Sequence, residues 1–151
     1  MRPRRILHAT DFSPASRPAF ATALDLARRS HAKLLLAHAV TLPEPLLEDA
    51  YLSAETYRKA LSEGRRAAQR RLTALCRRAQ QRGVRATALV LEGIAFLEIP
   101  RAAQRQRADL VVIGTHGRTG LQRLLLGSVA RRVIALTRCP VLTVPGRMRP
   151  R

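Results

Sequence analysis

The chain of 151 residues has few cysteine, aromatic and acidic side chains, and each shortage excludes a class of function. Its two cysteines, Cys76 and Cys139, stand far apart without a CxxC pair, which excludes a disulfide framework and indicates packed thiols in a reducing cytoplasm. Its four histidines are dispersed and its acids are few, so no metal-site spacing is present. Only five residues are aromatic and none lies in a basic strand pattern, which argues against base-stacking platforms for single-stranded nucleic acid.

Long apolar runs and two phosphate-binding motifs are also missing. No apolar run approaches the roughly 20 residues that cross a bilayer, so we expect no membrane segment, and the N-terminus predicts no signal peptide. A Walker A loop needs Gly-Lys-Ser/Thr, but neither Lys33 nor Lys59 follows a glycine. The GxGxxG pattern is absent as well, because Gly114, Gly117 and Gly120 are spaced by three.

Positive charge accompanies these shortages. There are 28 Lys or Arg side chains against 10 Asp or Glu, for a formal net charge of +18, and the region 110–151 contains no acid. Such a field attracts nucleotides, nucleic acids and acidic surfaces. The skew toward arginine resembles a codon bias, which explains Arg in place of Lys but not the excess of charge. Binding of nucleic acid therefore stays an alternative to the simpler interpretation, which is solvated basic faces.

Apolar patterning alternates between strand-like and helical segments along the chain. Continuous apolar runs such as 33–40 are typical of strands that are buried on both faces of a parallel sheet, and apolar residues at helical spacing mark the segments between them. We predict strands over 6–9, 33–40, 84–91, 110–113 and 141–144, helices over 19–29, 53–82, 94–106 and 129–136, and a loop over 41–51.

This alternation predicts an α/β fold with one five-stranded parallel sheet, right-handed crossovers and helices on both faces. We expect a single domain over 1–145 and a disordered basic tail over 146–151. In such sheets, ligands bind beyond the carboxyl ends of the strands, where the strand order reverses. A strand order of 3-2-1-4-5 makes strands 1 and 4 neighbours, and would place Asp11 beside Gly114 at that point.

Glycines cluster where the fourth strand is predicted to end. The pattern Gly114-x2-Gly117-x9-Gly127-Ser128 follows an apolar strand and leads into the last helix. Glycines in such a position let backbone N–H groups approach a phosphate, and the helix N-terminus adds a favourable dipole. The spacing therefore predicts nucleotide binding.

The glycine pattern occurs together with Thr10-Asp-Phe-Ser13, Leu36-Ala-His38 and a terminal run from Pro140 to Val144. With these segments, the chain resembles the universal stress protein family over nearly its whole length. The glycine pattern is the signature of the ATP-binding branch of that family, whereas the other branch lacks it and generally does not bind nucleotide. The resemblance implies a Rossmann-like fold of the adenine nucleotide alpha-hydrolase-like type, with ATP as the ligand.

The resemblance also implies roles for individual residues. Asp11 would accept hydrogen bonds from the ribose hydroxyls, and capping of the first helix is an alternative role that can coexist. Ala39 would offer its backbone to the adenine edge, but the family more often has Val there, which leaves the specificity for adenine open. The complete set of implied nucleotide-binding residues is Ala9, Thr10, Asp11, Ala39, Ile113, Gly114, His116, Gly117, Gly127, Ser128 and Val129.

Histidines and acids give little sign of catalysis. His116 has no carboxylate partner that is visible in the sequence, and His8 and His38 are interpreted as core histidines of strands. Fast hydrolysis would need an acid for Mg²⁺ and a group that positions water, and Asp11 is the only acid expected in the crevice. We therefore predict no catalytic residue, slow or absent ATP hydrolysis, and Mg²⁺ that arrives with the nucleotide.

The expected function is that of a cytoplasmic, nucleotide-dependent regulatory protein of the stress response. The resemblance suggests a homodimer in which the last strand, Val141–Val144, pairs across the interface and covers an exposed edge. Two alternatives stay open. One is a basic adaptor that binds nucleic acid or an acidic protein without using nucleotide, and the other is a slow ATP hydrolase.

Overall fold

A computed structural model describes residues 2–41, 53–115 and 127–146, in which strands and helices alternate. A short 3-10 turn, Pro14–Ser16, precedes the first helix. The strands are β1 (Arg5–Ala9), β2 (Lys33–Val40), β3 (Ala86–Glu92), β4 (Leu110–Gly114) and β5 (Val141–Val144), and the helices are α1 (Arg17–Ser30), α2 (Ala54–Gln80), α3 (Ala95–Arg105) and α4 (Ser128–Leu136).

The five strands form one parallel sheet in the order β3-β2-β1-β4-β5, which confirms the predicted fold. The central strand β1 pairs with β2 on one side and β4 on the other, so that His8 stands between Leu36 and Val112. The strand order therefore reverses between β1 and β4. Their carboxyl ends, Ala9 and Gly114, lie at the same edge of the sheet, next to the point of reversal.

Two apolar layers hold the helices against the sheet, because alternate strand residues face opposite sides. Ile6 contributes to the layer under α1 and α2, whereas Leu7 contributes to the layer under α3 and α4. Helix α1 meets the sheet through alanines, including Ala19, Ala23 and Ala27, each of which is at most 1% exposed. The small side chains allow the helix backbone to approach the strands closely, which leaves little free volume at this contact.

The turn from α2 to β3 differs from the prediction. At its start, α2 is capped by the hydroxyl of Ser53, which accepts a hydrogen bond from the Thr56 N–H. At its other end, the helix stops at Gln80, two residues earlier than predicted. Gly83 then adopts a left-handed conformation with φ of 75°, and the N–H of Val84 donates to the carbonyl of Ala79. Strand β3 consequently begins at Ala86, two residues later than the pattern indicated. The turn therefore takes up residues that the helical spacing had assigned to the end of α2 and that the apolar run had assigned to the start of β3.

The other helix and strand boundaries agree with the prediction to within two residues. The predicted loop over 41–51 and most of the predicted tail lie outside the described residues. At the last described position, a Cβ atom on Gly146 would lie 3.3 Å from the Cβ of Ala15, so the chain still packs against the 3-10 turn at this point. Among the helices within the described ranges, none is long and apolar enough to cross a membrane.

Candidate functional site

A cavity of about 310 Å³ opens at the carboxyl ends of β1 and β4. All the described members of the predicted nucleotide-binding set line it, whereas His116 and Gly117 lie outside the described residues. The members that line the cavity are Ala9, Thr10, Asp11, Ala39, Ile113, Gly114, Gly127, Ser128 and Val129.

One wall of this crevice is the turn over residues 10–16, which is held by its own side chains. A carboxylate oxygen of Asp11 accepts hydrogen bonds from the N–H and the hydroxyl of Ser13, at 2.9 and 2.7 Å. The hydroxyl of Thr10 accepts from the N–H of Phe12 at 3.0 Å and lies 3.1 Å from the hydroxyl of Ser16. Such short-range side-chain bonds fix the backbone of a tight turn, and Phe12 accordingly has a left-handed φ of 63°.

The alternative role of Asp11 as a cap of the first helix is wrong. Ser13 occupies the capping position of the 3-10 turn, and Ser16 occupies that of α1. Asp11 precedes both positions, and its carboxylate bonds to Ser13 instead of to the first turn of the helix. Its role in the described structure is therefore to organise the turn at the crevice.

His38 also lies at the crevice, although the apolar sequence around it predicted a core histidine. Its Nδ1 is 2.7 Å from the carbonyl oxygen of Thr10, so this nitrogen carries the proton and donates to that carbonyl. Its ring is half-buried and lies 4.4 Å from the ring of Phe12. His38 thus links the end of β2 to the turn that follows β1, in addition to lining the cavity.

His8, by contrast, is the core histidine that the pattern predicted. It is 0% exposed, and its Nδ1 lies 3.1 Å from the carbonyl oxygen of Val112 in the neighbouring strand. Burial lowers its pKa to about 4, although the hydrogen bond to Val112 and the negative charge of Asp11 oppose this shift. The imidazole is therefore neutral near pH 7 and contributes no positive charge to the crevice.

The opposite wall is formed where the chain returns to α4. The N–H of Gly127 donates to the carbonyl of Thr115 at 2.7 Å, and the N–H of Thr115 donates to the carbonyl of Val144 at 3.0 Å. These bonds connect the residue that follows β4 to the start of α4 and to the end of β5. Helix α4 begins directly after Gly127, and its first residues, Ser128 and Val129, line the cavity. The N–H groups of a first helical turn have no partner within the helix, and they favour negative charge.

The floor and the remaining wall are mostly apolar. Ala95 and Ile99 of α3 line the cavity beside Ala37 of β2, and none of the three was predicted as a site residue. The apolar face of α3 was visible in the sequence, and the predicted strand order could have placed this face over β2. Asp11 is the only acid among the described lining residues. Within the described ranges, no group of three or more His, Cys, Asp or Glu side chains could hold a metal ion.

This arrangement can hold a flat apolar group between alanine and isoleucine side chains, and it also offers a carboxylate and the N–H groups of the first turn of α4. A base, a sugar and a phosphate together present these three chemical characters. The crevice therefore suits a nucleotide better than a purely apolar or a purely anionic ligand.

Comparison with known proteins gives a family and a fold. The model described as "Universal stress protein family" matches residues 3–145. Universal stress protein MJ0531 of Methanocaldococcus jannaschii is 36% identical over 141 residues, which cover 93% of this chain and 81% of that protein. The solved structure of MJ0577, from the same organism, is similar with a TM-score of 0.83 at 24% identity, over 99% of this chain and 100% of that one.

Two further solved structures have the same fold and carry adenine nucleotides. One is a universal stress protein in complex with cAMP, with a TM-score of 0.64, 23% identity, and coverage of 97% of this chain and 100% of that one. The other is the universal stress protein from Archaeoglobus fulgidus in complex with dAMP, with a TM-score of 0.63, 20% identity, and coverage of 95% and 98%. At these identities the likeness establishes the fold alone.

Proposed function

The chain belongs to the universal stress protein family, and we propose that it is a nucleotide-dependent regulatory protein that binds ATP in the crevice between β1 and β4. One observation carries the proposal. Residues from both halves of the chain, which the sequence singled out independently, converge on a single cavity at the switch point of the sheet. Structures of the same fold in complex with cAMP and dAMP support an adenine nucleotide as the ligand.

In this proposal, each wall of the crevice recognises a different part of the nucleotide. The backbone of Ala39 faces the adenine edge, and the Asp11 carboxylate accepts hydrogen bonds from the ribose hydroxyls. The phosphates bind at the start of α4, where Gly127 and Ser128 supply N–H groups and a hydroxyl. His116 and Gly117 complete the phosphate site from the segment between Thr115 and Gly127.

The volume of the cavity fits a nucleotide whose base and ribose lie inside it and whose phosphates extend outward. Its volume of about 310 Å³ lies near the lower end of small-molecule sites, which span roughly 300–1,000 Å³. The described walls therefore enclose a group of nucleoside size. The phosphates of a triphosphate extend beyond these walls, past the N-terminus of α4.

We propose a regulatory role and no fast hydrolysis, because the crevice has too few acids. Efficient phosphoryl transfer uses carboxylates to hold Mg²⁺ and a side chain that orients the attacking water. Asp11 is the only acid among the described residues that line the crevice, so no second carboxylate is present among them to hold Mg²⁺ or to orient water. Mg²⁺ then comes with ATP, and the cytoplasmic protein signals through its bound state.

The proposal extends to a homodimer formed through β5. This strand is at the edge of the sheet and pairs only with β4 among the described strands. Leu142 in this strand is 37% exposed. An unpaired edge with an exposed apolar side chain is a template for pairing with another strand. A second copy of the chain would satisfy the free backbone groups and cover Leu142.

Calorimetric titration of the full chain with ATP, AMP and GTP tests the nucleotide proposal. We expect ATP and AMP to bind, GTP to bind at least about tenfold more weakly, and Gly127→Val to abolish the heat of ATP binding, because a branched side chain blocks the approach of phosphate to the helix start. Absence of heat with all three nucleotides would overturn the proposal.

Asp11 and Asp25 provide a matched pair of acid substitutions for the same titration. Asp25 is an acid of α1 whose carboxylate pairs with Arg28 and Arg29 on the helix surface. We expect Asp11→Asn to weaken ATP binding about tenfold, and Asp25→Asn to change it by less than about twofold. Equal effects would show that Asp11 does not contact the nucleotide.

A further inference from the structure

A second cavity, of about 690 Å³, lies between α1 and α2, on the face of the sheet opposite α3 and α4. The turn over residues 10–16 closes one end of it. Arg17 and Arg28 stand on the α1 side, and Arg71, Arg78 and Arg82 stand on the side of α2 and the turn that follows it. We call this space the arginine groove.

The arginine groove has little negative charge to balance its guanidinium groups. Asp25 is the only acid among the described residues that line it. Its carboxylate lies 2.9 Å from Arg29 and 3.7 Å from Arg28, so it is already engaged on the helix surface. In the described part of the chain, the other four arginines of the groove have no carboxylate within 4.0 Å. The groove therefore favours a ligand with several negative charges.

The arginines are arranged in two rows. Arg17 and Arg28 are eleven positions apart, which corresponds to about 16 Å along α1 at 1.5 Å per residue. Arg71 and Arg82 are separated by the same number of positions on the opposite side, with Arg78 between them. The positive charge consequently extends along the groove and is not concentrated at one point. An elongated anion matches this distribution better than a single phosphate.

Between the two rows the groove is lined by apolar side chains. Leu24 and Ala21 of α1 line it together with Leu75 and Ala74 of α2. Leu24 and Leu75 also pack against the apolar layer beneath them. An inorganic polyanion could pair with the arginines but would gain nothing from this apolar surface, because burial of apolar area stabilises only apolar partners. The groove thus presents an apolar strip flanked by positive charge.

The aromatic rings at the groove are already in contact with other side chains. The guanidinium of Arg71 lies 4.3 Å from the ring centre of Phe12, and that of Arg78 lies 5.5 Å from the ring centre of Phe20. His38 also packs against Phe12 at 4.4 Å. Proteins that bind single-stranded nucleic acid use open aromatic faces to stack bases. These contacts favour a protein ligand over a nucleic acid, and they hold two guanidinium groups in position.

We propose that the arginine groove binds an acidic amphipathic helix of a partner protein. Its apolar side chains would lie on Leu24 and Leu75, and its carboxylates would pair with the arginines of both rows. A helix of about 11 residues spans the length of the row on α1. This mode, in which the apolar face of a helix enters a groove and charges at the rim set the partner, is a recurrent form of peptide recognition. The groove is a different cavity from the nucleotide crevice and shares only Thr10 and Ser16 with it, so the proposal does not rest on ATP binding.

Fluorescence anisotropy with the full chain and a labelled acidic peptide tests this proposal. The probe is a helix-forming peptide of about 12 residues with a leucine stripe flanked by glutamates, at ~0.15 M salt. Two matched peptides replace all glutamates by glutamine or all leucines by serine. We expect both replacements to weaken binding by about fivefold or more, because the groove recognises charge and apolar surface together. Equal binding of the serine peptide would overturn the amphipathic part of the proposal.

Two double charge reversals on the same side of the molecule distinguish binding in the groove from a general effect of the net charge. Arg78→Glu with Arg82→Glu changes groove residues, whereas Arg70→Glu with Arg77→Glu changes exposed residues of α2 that do not line it. Both variants lower the formal net charge by the same amount. We expect the groove variant to weaken peptide binding about tenfold or more and the control variant by less than about threefold.

Several results would overturn the proposal. They are no binding of the acidic peptide to the wild-type chain, equal losses in the two double variants, or tighter groove-dependent binding of a single-stranded DNA of matched length, which would assign the groove to nucleic acid. Circular dichroism melting curves check that both variants fold. Arg17→Glu, on the opposite side of the groove, provides a further groove variant, and we expect it to weaken binding by about threefold or more.

Discussion

The imidazole ring of His38 lies 4.4 Å from the phenyl ring of Phe12, with 33° between the two ring planes. Through its Nδ1, the same imidazole donates a hydrogen bond to the carbonyl of Thr10. A strand residue from β2 therefore holds the turn that carries Asp11 into the crevice. The position of Asp11 depends on a contact between parts of the chain that lie 28 residues apart.

We predict that His38→Ala weakens ATP binding by about five- to tenfold, which corresponds to the loss of one hydrogen bond. The substitution leaves the Thr10 carbonyl without its histidine donor and removes the ring that packs on Phe12. Calorimetric titration measures the affinity, and thermal melting measures whether the fold persists. His31→Asn, at the exposed end of α1, is the control, because Asn tolerates the left-handed φ of 54° at that position. An unchanged affinity in His38→Ala would contradict a positioning role.

We predict that the free energy of unfolding decreases by about 2 kcal/mol between pH 7 and pH 5 because of His8. Burial lowers the pKa of His8 from 6.5 to about 4 in the folded chain, so the unfolded chain binds more protons over this range. The stability contributed by the neutral imidazole is present above pH 6.5 and is lost as the pH falls toward 4. Urea unfolding at the two pH values measures the change.

The non-titrating variant His8→Gln isolates this contribution from that of the carboxylates. We expect it to be less stable than the wild-type chain at pH 7, because His8 is fully buried and bonded to Val112. Its free energy of unfolding should nevertheless vary less between pH 7 and pH 5. The same pH dependence in both chains would show that groups other than His8 cause it.

We predict that Leu142→Glu converts the proposed homodimer into a monomer. Leu142 is exposed on the edge strand β5, and a charged side chain there opposes pairing with a second strand. Sedimentation velocity at several concentrations measures the association state. Tyr57→Glu changes another exposed apolar residue, on α2, and should leave the association state of the wild-type chain unchanged. A dimer that persists in Leu142→Glu would place the interface elsewhere.

We predict that Ala23→Leu destabilises the fold by roughly 1–3 kcal/mol, the usual cost of overpacking a close contact. Ala23 is 0% exposed where α1 meets the sheet, so added methyl groups must displace the helix. Ala21→Leu is the control. It makes the same change of side chain, with the same change in helix propensity, at an exposed position of the same helix. Urea unfolding of both variants compares them. A similar loss in Ala21→Leu would show that close packing is not the cause.

The parallel sheet was predictable because it follows from local patterns, and the location of the crevice followed once the strand order 3-2-1-4-5 was assumed. A continuous apolar run such as Lys33–Val40 is stable only when both its faces are covered, which requires a parallel sheet between helices. Once β1 and β4 are neighbours, residues that follow these strands must share one edge of the sheet. Asp11 and Gly114 therefore line one cavity, as the pattern indicated.

Contacts that combine distant segments were not predictable in the same way. His38 was interpreted as a core histidine because its surroundings in the sequence are apolar, and its bond to Thr10 depends on the length of the turn after β1. Ser16 shows no signal of its own, yet its hydroxyl meets that of Thr10. The alternative of helix capping by Asp11 was wrong because local hydrogen bonds to Ser13 compete with capping, and sequence alone does not determine which of them forms.

The turn over residues 10–16 is a wall common to the nucleotide crevice and the arginine groove, since Thr10 and Ser16 line both cavities. A ligand in either cavity that changes the position of this wall also changes the free energy of binding in the other cavity. Thermodynamic linkage makes this effect reciprocal. If nucleotide raises the affinity for a groove ligand by some factor, the groove ligand raises the affinity for nucleotide by the same factor. Any such coupling between the two cavities would pass through one short turn, because Thr10 and Ser16 are the residues that they share.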